Sequence, residues 1–170
     1  MKMYRAWGLV AAILIAISVM PVQGASARAT FTQCEATLTV VGFTEGAITS
    51  PGANTHIRGR VVRFRQVSAN PLCSGDITAV VNYNLDSNGE GPKWGTFTWE
   101  APPDGPYTGG FEGTFSGWAE QYTQVSWVRP VGRGYGDLQG LKLHEYIDLD
   151  LTREAPQGSA TLTILDPQGE

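Results

Sequence analysis

Cysteine and histidine are scarce: Cys34, Cys73, His56 and His144 are all that 170 residues contain. The two cysteines form no CxxC pair, and two thiols with two distant histidines make a poor zinc ligand set, so no metal is expected. Positive charge is also in short supply, 12 Lys and Arg against 16 Asp and Glu. Nucleic acid and anionic lipid are gripped through an excess of Lys and Arg, so neither is an expected partner. No Gly-x-Ser-x-Gly elbow is present, which argues against a serine hydrolase built from Ser126, His144 and Asp148. The sequence also lacks a convincing amphipathic helix, a low-complexity tract and a repeat of solenoid length.

Long apolar runs are limited to one. Residues 7–20 are apolar apart from Gly8 and Ser18, follow Lys2 and Arg5, and stop at Pro21; Ala25-Ser26-Ala27 then offers small residues at the positions a signal peptidase reads. The run falls short of the roughly 18 to 20 residues that cross a bilayer. The reading is a signal peptide over residues 1–27 and a secreted or periplasmic domain over 28–170, with no membrane span in the mature part. Cleavage leaves 143 of the 170 residues, enough for one core, and removes two of the 12 basic residues, giving 10 basic against 16 acidic and a balance of -6. In an oxidising compartment Cys34 and Cys73 are expected to form a disulfide. By chain-entropy arithmetic a loop this long is worth roughly 4 kcal/mol.

What the sequence does contain is alternation, glycine and aromatic residues. Residues 30–41 are rich in Thr, Val and Phe and read as a first strand. Residues 42–54 carry turn chemistry, with a short strand near 47–49. Residues 55–67 alternate with one slip of parity between Val61 and Val62, which predicts a β-bulge there and turns Arg58, Arg60, Arg63 and Arg65 outward. Residues 76–85 and 93–100 alternate on either side of Asn88-Gly89 and read as an antiparallel hairpin. The proline-rich stretch 101–106 breaks the chain before a strand near 107–118, whose Phe111, Gly113, Phe115 and Gly117 share one face. Glycine repeated on a strand face suggests tight curvature or a large neighbour packed close. Residues 121–128 read as a further strand and 160–165 as the last.

The strongest pattern is the glycine-punctuated run 132–140 feeding 141–151, where Leu141, Leu143, Glu145, Ile147, Leu149 and Leu151 oppose Lys142, His144, Tyr146, Asp148 and Asp150. A period of two over that length fits a half-buried strand. Seven to eight such strands predict an all-β, single antiparallel barrel of eight strands, closed or nearly closed, with the last strand near Leu162 pairing with the first near Leu38; a β-sandwich is the alternative. The motif Gly134-Tyr135-Gly136-Asp137-Leu138-Gln139-Gly140 resembles the glycine element that opens a late strand in the allene oxide cyclase and dirigent barrels, of calycin-like architecture, and in small secreted bacterial proteins of unknown function. That resemblance implies an eight-stranded antiparallel barrel with a hydrophobic lumen, no cofactor, and often a homodimer or homotrimer. No catalytic residue of those families aligns with a position here.

Glu145 interrupts the apolar face of its strand. Burial raises the pKa of a carboxyl, making Glu145 a candidate general acid or base, or the polar handle for a ligand; a position at a partly covered rim is the plainer reading. The same parity collects Tyr83, Phe97, Trp99, Phe111, Phe115, Trp127, Leu141 and Leu143 as candidate walls of a pocket, against the plainer reading of simple core. Trp94 and Trp118 fall on the polar parity and suit sugar stacking or a subunit interface. Three functions follow as expectations: a cofactor-free barrel binding a small apolar or aromatic ligand, with Glu145 and Tyr83 as polar contacts; a cyclase or isomerase in the same pocket; and a structural or carbohydrate-binding surface domain. Binding without catalysis is the preferred reading of the three.

Overall fold

The computed structural model describes residues 28–120, 125–150 and 157–169, except the side chain of Val125. The predicted signal peptide, residues 121–124 of the predicted 121–128 strand, and most of the polar turn before the last strand lie outside the described residues.

The chain forms strands β1 (Thr30–Phe43), β2 (Ala47–Thr49), β3 (Thr55–Ser68), β4 (Gly75–Leu85), β5 (Glu90–Glu100), β6 (Gly109–Glu120), β7 (Val125–Gly136), β8 (Lys142–Asp150) and β9 (Gln157–Asp166), with one short 3-10 turn at Pro71–Cys73. From β3 to β9 each strand pairs antiparallel with the next, and β1 closes the circle by pairing with β9 on one side and β3 on the other. The result is a closed antiparallel barrel of eight strands, with β2 added beside the first residues of β3. Closure leaves no edge in the barrel wall to template another chain. The predicted meeting of first and last strands occurs with Cys34 opposite Leu162 and Leu38 opposite Gly158.

The hairpin predicted from Asn88-Gly89 is present as β4 and β5. Glycine allows the wall to curve because the chain approaches itself where a side chain would stand. A Cβ on Gly113 or Gly117 would collide with backbone of β7, and one on Gly95 or Gly132 would meet the ring of Phe115 or Phe97. Both reasons anticipated for a glycine-bearing strand face, curvature and a close large neighbour, therefore operate.

Three local expectations are corrected. The bulge in β3 lies between Ile57 and Arg60, not at Val61/Val62, because Gly59 takes a positive φ of 68° that other residues resist. Parity therefore resets before Arg60, which turns into the barrel, while Arg58, Arg63 and Arg65 stay outside. The run 132–140 is not all turn: β7 continues to Gly136, and only residues 137–140 reverse the chain. Trp127 faces outward, because β7 directs Ser126, Val128 and Pro130 inward and places Arg129 and Arg133 on the Trp127 side, where charge keeps its water.

The interior divides along the barrel axis. One end is solid: the rings of Trp99 and Phe111 meet tilted at 56° with 5.4 Å between centroids, and Leu143, Leu162 and Ile164 belong to the same core. Leu138, from the β7–β8 turn, is buried in the same core. Asp137 anchors that turn by accepting from the backbone N–H and hydroxyl of Thr108, both at 2.8 Å. The disulfide predicted between Cys34 and Cys73 is formed and ties the 3-10 turn to β1. The other end is hollow.

Candidate functional site

The hollow end is a cavity of about 560 Å³. Its wall is mostly apolar, with Val62, Phe64, Ile77, Ala79, Val81, Phe97, Phe115, Val128, Ile147 and Leu149 contributed by six strands. Its mouth is framed by residues 40–43 at the end of β1, where Val41 and Phe43 are exposed, and by Arg60. A volume of this size, largely greasy and holding a few polar groups, is what small-molecule sites have in common.

Glu145 stands at the floor. On β8 it lies between Leu143, part of the solid core, and Ile147, part of the cavity wall, and it is 6% exposed. Oε1 has no hydrogen-bond partner among the described residues. Burial pushes the carboxyl up to about 8, and the nearby Gln66 amide opposes that shift only in part, since Gln66 Nε2 donates to the carbonyl of Cys73 at 3.0 Å.

Lys93 is the second buried ionisable group, 3% exposed and lining the same cavity. It reaches from β5 over β6 and donates to the hydroxyl of Ser126 on β7. The intervening residue in the ladder is Gly117, opposite both Lys93 and Val128, which carries no side chain to block the path. Burial draws the amine down to about 7, with no carboxylate opposing the shift. Ser126 pairs across the ladder with Leu149, four residues beyond Glu145 on β8. That span of β8 is about 13 Å, so Ser126 and Glu145 stand at different levels of the wall.

Burial moves these two values toward each other, whereas in water a carboxyl ionises long before an ammonium loses its proton. Burial therefore favours the protonated carboxyl at Glu145 and the free amine at Lys93. In those forms neither group contributes a charge to the interior, and each remains a hydrogen-bonding handle. Arg60 supplies the fixed charge near the mouth, its guanidinium 5.7 Å from the ring centroid of Tyr83. Burial raises the Tyr83 phenol and Arg60 partly counters it.

The predicted site residues separate into three groups. Glu145, Tyr83, Phe97 and Phe115 line the cavity. Trp99, Phe111 and Leu143 are buried in the solid end, and Leu141 packs half-buried against it, so these four are core. Trp127 is on the outer wall, under the guanidinium of Arg129 at 5.4 Å and opposite Trp118 in the β6–β7 ladder.

Lys93, Ser126 and Arg60 escaped sequence reasoning. Lys93 shares parity with Gly95, Phe97 and Trp99, so extending the inward face of β5 by one step would have found it. Ser126 was discoverable from β7 as a whole, since Arg129 and Arg133 claim the other face. Arg60 was hidden by the bulge, which no spacing rule locates.

No family model, curated protein or solved structure matches the chain. The chemistry of the site is accordingly argued from its own side chains. A greasy chamber with a buried acid, a buried amine and a guanidinium in its lining can hold an apolar body by burial and orient its polar ends by hydrogen bonds.

Proposed function

We propose that the protein is an exported, cofactor-free barrel that binds a small, uncharged apolar or aromatic molecule in its lumen, oriented by Glu145 and Tyr83 and by the Lys93–Ser126 pair. One observation carries this reading: a 560 Å³ cavity with a mostly apolar wall holds two buried ionisable groups, Glu145 and Lys93, each shifted by burial toward its uncharged form. An apolar guest filling such a space gains on the order of 25 cal/mol for each Å² it removes from water, and an ionic guest would face a desolvation cost that nothing at the floor offsets. The resemblance of the 134–140 motif to allene oxide cyclase and dirigent barrels belongs to the same proposal, as does assembly into a homodimer or homotrimer.

The test is a neutral, polarity-sensitive dye, N-phenyl-1-naphthylamine, titrated into the purified protein, together with mass spectrometry of organic-solvent extracts. Saturable fluorescence enhancement is expected, and Ala79→Phe, which projects a ring into the cavity, should abolish it while leaving the far-ultraviolet spectrum of the barrel unchanged. Absence of saturable binding by the unaltered protein would end the proposal.

A cyclase or isomerase acting in the same lumen is the second reading, favoured by the unpartnered Oε1 of Glu145 and by a carboxyl poised close to neutrality, where it can both give and accept a proton. Glu145→Gln would then abolish turnover while preserving binding. The outer wall supports a third, weaker reading as a surface domain: Trp94 and Trp118 are exposed, and Arg58 covers Trp94 at 5.1 Å. Dye binding without any effect of outer-wall substitutions would set it aside.

A further inference from the structure

We propose that Lys93 is a nucleophile that captures a carbonyl compound, an apolar aldehyde or ketone, as an imine inside the cavity. The proposal rests on the lumen-binding reading above and names the class of ligand it takes.

Three observations converge on this lysine. Of the two lysines among the described residues, Lys93 lines the cavity and Lys142 is exposed on β8. The Lys93 amine donates to Ser126 Oγ, which holds the nitrogen at the wall of the chamber. Its walls are apolar, with Val81, Phe115 and Leu149 in the same lining. A lysine desolvated in a hydrophobic pocket is activated as an amine nucleophile, because burial disfavours the ammonium form that has no lone pair. Burial draws Lys93 to about 7, so near neutrality its free-amine fraction exceeds that of an exposed lysine by a factor on the order of a thousand.

The step balances without an oxidant. The Lys93 nitrogen adds to the carbonyl carbon, the C=O π pair moves to oxygen, and a proton passes from nitrogen to that oxygen to give a carbinolamine. Loss of the hydroxyl with the remaining N–H proton releases one water and leaves C=N. An apolar guest that fills the chamber displaces water from it, which favours that dehydration.

Geometry also shapes the rest of the ligand. With the carbonyl at Lys93, its apolar body lies along the wall shared by Val81, Phe115 and Leu149, and a distal hydroxyl or carbonyl can meet Glu145, which lines the same cavity. The protonated carboxyl can donate to or accept from such a group.

The test uses the purified protein, 2-naphthaldehyde as the probe, and borohydride, whose hydride reduces any imine to a stable secondary amine. Intact mass followed by peptide mapping is expected to place the adduct on Lys93 at a rate at least about tenfold above Lys142 and the terminal amine. 2-Naphthylmethanol, which has the same shape and no carbonyl, should protect Lys93 and leave labelling of Lys142 unaltered. In Lys93→Met, which keeps the length of the side chain, the fast adduct should vanish; mapping on the unaltered protein decides the matter even if that variant misfolds. Saturable binding of 2-naphthylmethanol without a Lys93 adduct overturns the imine and leaves the cavity reading intact. Labelling of Lys142 as fast as Lys93, or a Lys93 adduct that 2-naphthylmethanol does not protect, overturns it also. Failure of both compounds to bind removes the cavity reading along with the imine.

Discussion

Replacing Glu145 with glutamine keeps the shape of the side chain and deletes its proton, so its effect on stability should depend on pH in a way that reports burial. The carboxyl is neutral in both states below about pH 4.5 and ionises in the unfolded chain from there, but only near pH 8 in the barrel. Between those limits the folded state holds a proton that the unfolded state has released, so the unaltered protein loses stability as pH rises. Each pH unit costs about 1.4 kcal/mol, which amounts to about 3 kcal/mol at pH 7 and at most about 5 kcal/mol above pH 8. Glu145→Gln carries no such penalty. Relative to the unaltered barrel it should therefore gain stability steadily from pH 5 to pH 8 and hold a constant advantage beyond. Urea unfolding at pH 5, 6, 7, 8 and 9, read by tryptophan fluorescence, gives the difference directly. A difference that stays flat across that range would mean the carboxyl reaches water in the folded state, and the account of the cavity floor would fail.

Lys93→Met should show the opposite pH dependence. The amine's value is lowered from 10.5 to about 7 on folding, so the unaltered protein regains stability as pH rises from 7 to 10.5. The methionine variant should thus be more stable at and below pH 7, with its advantage shrinking toward pH 10; an advantage that grows with pH in the same unfolding series would contradict the burial of Lys93. Reduction of the Cys34–Cys73 bond frees a segment with a sequence separation of 39 and should cost about 4 kcal/mol, seen as a lower urea midpoint with dithiothreitol. No shift on confirmed reduction would count against it. Gly117→Leu should unfold the barrel or prevent its closure, because its side chain would meet the β7 backbone and the path of Lys93; a native near-ultraviolet spectrum would refute that packing.

Much of the wall was legible because a strand writes its faces in alternate residues. Glu145 could be placed inside from Leu143 and Ile147 on either side, and β8 buries them in that alternation. The same rule misassigned Trp127, because the exposed Arg129 and Arg133 share its parity and turn that face of β7 to water. It also failed at Arg60, because the inversion belongs to the left-handed backbone of Gly59 and not to any spacing of apolar side chains.

Local chemistry alone was enough to specify strands, turns and the pairing of the two cysteines, since each depends on neighbours a few residues apart or on there being no other thiol to choose. Which end of the barrel is packed and which is hollow depends on how side chains from eight strands meet, and Trp99 and Leu143 carry the same inward parity as Phe97 and Glu145. Lys93 and Ser126 are 33 residues apart and become partners only because β5, β6 and β7 lie side by side with a glycine between them. Strand order and closure, which are properties of the whole sheet, placed a buried amine and a buried acid in one largely apolar chamber.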